Sequence, residues 1–204
     1  MKKIICITGL DGVGKSTLTD ALAQQLPGAQ PVNIWDLFES QAPCLPFKSK
    51  RDIDDFLCLL TPGSRLLFLA HALKYAVDTA LQSDASILVM NAYFYKYFAT
   101  EKALGAAADL ITSLQKNFPR PDVVIQLTLP PSMAAKRKKT FSRYECGLSQ
   151  KPDNEGFIAF QQKAQQAWEG FDKTGWHFLD ARKMPKDLLG EALGIISQNI
   201  DIGL

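Results

Sequence analysis

The stretch Gly9-Leu-Asp-Gly-Val-Gly-Lys-Ser-Thr17 follows directly after the apolar run Ile4–Ile7 and has the spacing of a phosphate-binding loop. Its glycines allow backbone N–H groups to turn inward around a polyphosphate, where a Cβ would obstruct them. We predict that Lys15 contacts the β- and γ-phosphates and that the Ser16 hydroxyl ligates a Mg²⁺ ion between them. Residues Thr17–Leu26 have helical spacing, so the positive end of a helix faces the anion. The stretch therefore predicts a site for ATP or another nucleoside triphosphate. The predicted nucleotide contacts are Gly9, Asp11, Gly12, Val13, Gly14, Lys15, Ser16 and Thr17.

Length and charge limit the class of protein. The chain has 204 residues, which suits one globular domain, and its formal charge of +2 argues against a broad surface for nucleic acid or membrane. The opening residues resemble a signal peptide, but their apolar run is too short and leads into the phosphate loop. The four cysteines lie far apart, which favours reduced thiols. We expect one cytoplasmic domain spanning residues 1–204, with neither a nucleic-acid nor a membrane partner.

Short apolar runs alternate with stretches of helical spacing, which predicts a parallel sheet covered by helices on both faces. The predicted strands are Ile4–Ile7, Val32–Ile34, Ile87–Met90, Val123–Leu129 and Trp176–Leu179. The predicted helices are Thr17–Leu26, Ser64–Leu81, Tyr97–Asn117, Ser132–Lys139, Glu155–Phe171 and Pro185–Ile200. The fold class is thus α/β, a three-layer P-loop NTPase fold with about five parallel strands and a short lid. Ligands of such folds gather at the carboxyl ends of the strands.

A basic segment, Lys136-Arg-Lys-Lys139, precedes Arg143-Tyr-Glu-Cys-Gly147 late in the chain. Phosphoryl transfer requires a cationic flap that screens charge on the transferring group and excludes water. We interpret the region from about residue 136 to 153 as such a lid. The alternative for the basic segment is a solvated helix face.

Four further segments accompany the phosphate loop and its acid Asp11: Leu66-Leu-Phe-Leu-Ala70, Pro121-Asp-Val-Val-Ile-Gln-Leu127, Arg143-Tyr-Glu-Cys-Gly147 and Phe178-Leu-Asp-Ala181. In this order and at this spacing, the five segments resemble the thymidylate kinase family of nucleoside monophosphate kinases. The resemblance runs from end to end of the chain. It implies phosphoryl transfer from Mg-ATP to a nucleoside monophosphate, with dTMP as the first candidate, and a homodimer.

The resemblance also implies roles for individual residues. Asp11 accepts a hydrogen bond from the acceptor sugar, and Phe68 stacks on the acceptor base. Arg143 is the lid cation on the transferring phosphoryl group and, with Lys15, one of two catalytic residues. Ala181 lies beside the adenine. The alternative for Phe68 is a core phenylalanine in an amphipathic helix.

Two departures from the family pattern affect the acceptor site. Asn91-Ala-Tyr93 stands where the family carries Asp-Arg-Tyr, and Ala72 stands where it carries a second acceptor-site arginine. Asn91 still accepts a hydrogen bond, and Tyr93 keeps its place in the motif, so we predict that both contact the acceptor. The aromatic run around Tyr93 either packs within a helix or walls the acceptor pocket. Losing two charge-assisted hydrogen bonds costs roughly 3–6 kcal/mol unless other cations replace them.

Candidate replacements follow from helical spacing. Lys96 lies four residues after Ala92, and Arg65 lies seven residues before Ala72, so each pair shares a helical face. Further cations, at Lys48, Lys50 and Arg51, cluster before the helix of Arg65.

Three functions remain open at this stage. The first is the nucleoside monophosphate kinase that the resemblance implies. The second is a kinase with a different small-molecule acceptor, and the third is a nucleotide-binding paralogue with little or no kinase activity.

Overall fold

A computed structural model describes residues 2–35, 47 and 49–201. Within these ranges five parallel strands form one sheet in the order β2-β3-β1-β4-β5. The strands are β1 (Lys3–Thr8), β2 (Ala29–Val32), β3 (Ile87–Asn91), β4 (Val123–Thr128) and β5 (His177–Asp180). The helices are α1 (Lys15–Gln25), α2 (Lys50–Leu57), α3 (Pro62–Leu81), α4 (Tyr93–Ala103), α5 (Ala108–Gln115), α6 (Pro131–Lys136), α7 (Asn154–Ala167) and α8 (Pro185–Asn199). Single 3₁₀ turns occur at Tyr144–Cys146 and Trp168–Gly170. The predicted α/β fold with a parallel sheet is confirmed.

The central strand β1 shows why the strands appear as uninterrupted apolar runs. Ile5 and Ile7 lie in one buried cluster with residues of α1 and α8, whereas Ile4 and Cys6 lie in a second cluster with residues of α3. Successive side chains of a strand point to opposite faces, and here both faces are covered by helices. The sheet is therefore the middle of three layers.

Two predicted elements differ from the structure. The second strand is Ala29–Val32 and not Val32–Ile34, because it pairs with β3 from Ala29 onward. Gln30 and Pro31 interrupt its apolar pattern, so the strand carries no apolar run. An edge strand tolerates proline. The single helix predicted over Tyr97–Asn117 is two helices, α4 and α5. Gly105, at φ 94°, follows the end of α4, and a left-handed glycine commonly terminates a helix.

The sheet order brings β1, β2 and β3 side by side, so their carboxyl ends meet at one edge. The phosphate loop follows β1 at this edge. Asn33 follows β2, and Asn91 ends β3. The described ranges contain no helix with both the length and the apolar character needed to cross a bilayer.

Gly9 is the position where the loop most strongly requires glycine. Its φ is +137°, and a Cβ built there would lie 2.5 Å from the Leu127 carbonyl oxygen on β4. We expect Gly9→Ala to lower the free energy of unfolding by more than about 2 kcal/mol, because both the backbone strain and the clash must be absorbed. The check is urea denaturation.

A matched control for this variant is Gly194→Ala, in the middle of α8. A Cβ there meets no heavy atom within 4 Å. Alanine in a helix interior is favoured over glycine by about 1 kcal/mol, so this variant is expected to be more stable than the parent. Equal stability of the two variants would contradict the argument for Gly9.

Candidate active site

A cavity of about 400 Å³ lies at the carboxyl edge of the sheet, between the phosphate loop, the residues after β2 and β3, and the lid. The Lys15 ammonium donates to the Leu10 carbonyl at 2.6 Å, across the loop. The Asn91 carboxamide donates to the Ser16 hydroxyl at 3.0 Å. The structure thus brings together three residues that the sequence analysis assigned to phosphate, metal and acceptor. Their side chains form the floor of one cavity.

Asp11 and Lys96 form an ion pair in the same cavity. The Lys96 Nζ lies 3.1 Å from Asp11 Oδ1, and their side chains are only 8% and 14% exposed. Lys96 comes from α4, whose first turn follows β3 directly, so the packing of α4 carries its amine to the phosphate loop. A lysine held this close to the loop is placed to contact a phosphate group. Lys96 therefore shares the cavity of the phosphate loop, and its role as a replacement cation for the acceptor stays a prediction.

Burial and neighbouring charges shift the pKa values of Asp11 and Lys15 in opposite directions. Burial raises the pKa of the Asp11 carboxyl, but the charges of Lys96 and Lys15 outweigh it and bring the pKa down to about 2. Burial lowers the pKa of the Lys15 ammonium to about 8, although the charge of Asp11 acts in the opposite direction. Asp11 is thus ionised at neutral pH, while Lys15 begins to lose its proton just above it.

The pKa of Lys15 predicts how ATP affinity depends on pH. Only the ammonium form attracts a polyphosphate, and bound phosphates raise its pKa again, so binding above pH 8 must take up a proton. Affinity is expected to be flat below about pH 7.5 and to fall by up to about tenfold per unit above pH 8. Calorimetry at pH 8.5 in two buffers of different ionisation enthalpy measures the uptake. Proton release or no exchange would contradict the prediction, and a Lys15→Met variant should show neither uptake nor the fall.

The turn after β3 is strained. Ala92 has φ 78° and ψ −45°, and Tyr93 has φ 55°, both unusual for residues with a Cβ. Two hydrogen bonds hold the turn: the Ala92 N–H donates to the Ile7 carbonyl at 2.8 Å, and the Thr8 hydroxyl donates to the Ala92 carbonyl at 2.9 Å. Strain of this kind persists only where surrounding structure enforces it, and it is concentrated at functional sites. Here it directs Asn91 toward Ser16.

Gln161 on α7 joins the phosphate loop to the lid. Its carboxamide oxygen accepts from the Asp11 N–H at 3.1 Å, and its NH₂ group donates to the Glu145 carbonyl at 3.0 Å. The Glu145 carboxylate in turn pairs with Lys138 at 2.9 Å. The sequence analysis missed Gln161, since a lone glutamine in an amphipathic helix carries no signal of its role.

The basic segment divides between two cavities. Lys138 lines the phosphate cavity, whereas Arg137 donates to the carbonyls of Ala181 at 2.7 Å and Val13 at 3.4 Å. These contacts lie in a second cavity of about 430 Å³ on the other side of the loop, which Gly14 and Thr17 also line. Ala181 thus lines a cavity beside the phosphate loop, and its contact with adenine stays a prediction. Neither Arg137 nor Lys138 was singled out from the sequence, although the basic run that contains them was.

Arg143 does not face the phosphate cavity. Its Nε donates to the Ser149 carbonyl at 3.3 Å, and its side chain lines an adjacent cavity of about 600 Å³ together with Arg51, Asp54 and Asp55. Lys138 is thus the lid cation that lines the phosphate cavity, and the catalytic role of Arg143 stays a prediction.

Two predicted acceptor residues lie elsewhere. The ring of Phe68 packs against Phe56, with centroids 5.2 Å apart, in a cluster outside the phosphate cavity. Tyr93 is fully buried, and its phenol donates to the Pro119 carbonyl at 2.8 Å, so its prediction as an acceptor contact is wrong. A buried tyrosine needs an acceptor for its hydroxyl, and Pro119 supplies it. The rings that line the cavity are instead Trp35 and Tyr97, whose centroids are 6.0 Å apart.

Arg65 is fully buried and pairs with Glu101 at 2.8 Å, so its prediction as a replacement cation for the acceptor is wrong. Helical spacing placed Arg65 on the face of Ala72 correctly, but that face is the inner one. Of the other candidates, Arg51 is exposed at the cavity of Arg143, and Lys48 lies outside the described residues.

Comparisons with known proteins agree with this geometry. A probable thymidylate kinase of Saccharolobus solfataricus is 27% identical over 202 residues, covering 98% of this chain and 100% of that protein. A thymidylate kinase of Xanthomonas oryzae pv. oryzae is 24% identical over 196 residues, covering 95% and 82%. The chain is thus similar to thymidylate kinases along almost its whole length. The structure of the Candida albicans thymidylate kinase has the same fold, with a TM-score of 0.69, 18% identity and coverage of 97% of this chain and 92% of that one.

No protein-family model matches the chain. Three features of the site are read directly from its residues. They are the neutral Asn91-Ala92 pair, the Asp11–Lys96 ion pair and the buried Arg65.

Proposed function

We propose that this protein transfers the γ-phosphoryl group of ATP to a nucleoside monophosphate, with dTMP as the first candidate acceptor. The observation that carries the proposal is the single cavity that joins the phosphate loop to Asn91 and Lys96. It is supported by relatives named thymidylate kinase along almost the whole chain.

The donor side of the cavity suits Mg-ATP. Lys15 and the backbone N–H groups of the loop bind the phosphates. Arg137 and Ala181 line the second cavity, which we assign to the adenine base. The Ser16 hydroxyl supplies an oxygen of the kind that Mg²⁺ prefers, and the Asn91 NH₂ group donates to that hydroxyl at 3.0 Å. A bound Mg²⁺ would neutralise charge on the phosphates. Because Asn91 is uncharged, these residues fit the ion more weakly than a carboxylate would.

The acceptor side depends on Lys96. Ala92 and Ala72 are buried and apolar, so neither position supplies a cation. We assign the acceptor phosphate to Lys96 and the acceptor sugar hydroxyl to Asp11, with Trp35 and Tyr97 beside the base. A phosphate oxygen is already a nucleophile at neutral pH, so the reaction needs no general base. Catalysis then consists of positioning and charge neutralisation by Lys15, Lys96 and Lys138.

The test is ADP release from Mg-ATP across a panel of nucleoside monophosphates that includes dTMP and dUMP, with Lys15→Met as the blank. We expect turnover on one acceptor well above the blank. ATP binding without turnover on any acceptor would reject the proposal.

One observation favours a second candidate, a nucleotide-binding paralogue with little or no kinase activity. Lys96 is already neutralised by Asp11, and Asn91 and Ala92 bring no charge to the acceptor side. A donor site that binds ATP with a neutral acceptor side is what a sensor requires. The same panel separates the two candidates, since only the paralogue binds ATP tightly and shows no acceptor-dependent turnover.

A further inference from the structure

Three buried polar side chains from three different elements form one hydrogen-bonded chain behind the phosphate cavity. The Arg65 Nε of α3 lies 3.1 and 2.8 Å from the two carboxylate oxygens of Glu101 on α4. The Tyr144 hydroxyl, from the lid, donates to the same carboxylate at 2.7 Å. Arg65 and Glu101 are fully buried, and Tyr144 is 2% exposed. The sequence analysis gave Glu101 no role.

These hydrogen-bonded side chains also contact the elements on either side of them. Arg65 Nη1 donates to the carbonyls of Leu60 at 2.9 Å and Leu57 at 3.4 Å, at the end of α2. The ring of Tyr144 faces the ammonium of Lys96, 5.4 Å from the ring centroid. One tyrosine therefore contacts two charged residues of α4, Lys96 through its ring and Glu101 through its hydroxyl.

The position of Tyr144 determines what its neighbours do. The next residue, Glu145, pairs with Lys138 in the phosphate cavity, and its carbonyl accepts from Gln161, which also holds Asp11. A displacement of Tyr144 would therefore move the lid cation Lys138 and the loop acid Asp11. A buried ion pair often contributes no more stability than apolar residues of the same volume. What it supplies here is a fixed orientation of one carboxylate toward one hydroxyl.

We propose that Glu101 is a positioning residue that fixes the lid through Tyr144, with Arg65 holding its carboxylate in place. It keeps Lys138 and Glu145 facing the phosphate cavity and touches neither donor nor acceptor. The kinetic part of this inference rests on the proposed function, whereas the structural part does not.

The first experiment measures amide hydrogen exchange in Tyr144→Phe, which removes only the hydroxyl and keeps the buried ring. The control is Tyr75→Phe, a loss of the same atom from a tyrosine that is 46% exposed on α3. We expect exchange in the lid, residues 138–150, to quicken about tenfold or more, because a charge-assisted hydrogen bond is lost. Exchange in β1 and β4 should stay at the rate of the parent protein. Equal acceleration in those strands, or an unchanged lid, would overturn the proposal.

The second experiment is a double-mutant cycle of Tyr144→Phe with Lys138→Met, read in kcat. If Tyr144 acts through the lid cation, its loss lowers kcat about tenfold in the parent protein and little in the Lys138→Met background. A merely structural role makes the two losses multiply, and that result would overturn the proposal. If the parent shows no turnover on any acceptor, the proposed function fails, and the exchange experiment alone decides the role of Glu101.

Discussion

Lys15→Met is expected to lower kcat by about 10²- to 10³-fold on whichever acceptor the protein uses, because a charge aimed at the transferring phosphoryl group is removed from an enclosed site. The Lys15 ammonium donates to the Leu10 carbonyl across the loop, and its side chain lines the cavity. Methionine keeps most of the stem and removes only the charge. Steady-state kinetics at saturating ATP and acceptor measures the effect.

The matched control is Lys163→Met, a lysine exposed on α7. It should retain the activity of the parent protein. The prediction for Lys15 also requires that both variants melt at similar temperatures. A Lys15→Met enzyme that keeps most of its turnover would show that another cation neutralises the phosphoryl group, and Lys138 would then be the first to examine.

Lys96→Met is expected to raise the acceptor KM by about 10- to 100-fold and to leave the KM for ATP unchanged. The estimate is the loss of one charge-assisted hydrogen bond to phosphate, about 1.5–3 kcal/mol. The relevant measurement varies the acceptor at saturating Mg-ATP and then reverses the roles. The variant leaves Asp11 with Gln161 as its remaining side-chain contact.

Lys102→Met provides the comparison, since Lys102 is an exposed lysine in the last turn of the same helix. Its kinetic constants should match those of the parent. If Lys96→Met changes the KM for ATP and not that for the acceptor, Lys96 belongs to the donor side. An unchanged acceptor KM would show that Lys96 does not bind the acceptor phosphate.

The fold was predictable because its signals are local. The runs Ile4–Ile7 and Ile87–Met90 became buried strands, since both faces of the sheet are covered. The exceptions have local causes as well. Pro31 interrupts the apolar pattern of the edge strand β2, and Gly105 divides a long helical pattern into two helices. The homodimer that the resemblance implies stays a prediction.

The site was predictable only in part. The positions of Lys15, Ser16 and Asn91 follow from where their strands end, and the structure brings them together. Arg143, Phe68 and Tyr93 were assigned by resemblance, and in this chain their side chains lie elsewhere. Resemblance transfers a position along the chain, but the direction of a side chain depends on packing around it.

The sequence by itself determined the three-layer sheet and the phosphate loop, because apolar periodicity, glycine spacing and a Lys-Ser pair act between near neighbours. The tertiary structure alone decided which distant groups share the cavity. Asp11 and Gln161 lie 150 positions apart and meet because α7 packs beside the loop. Arg65 and Lys96 are both cations on helices, but one is fully buried against Glu101 and the other reaches Asp11. That difference arises from the way α3 and α4 pack against each other and the lid, and no local pattern in the chain records it.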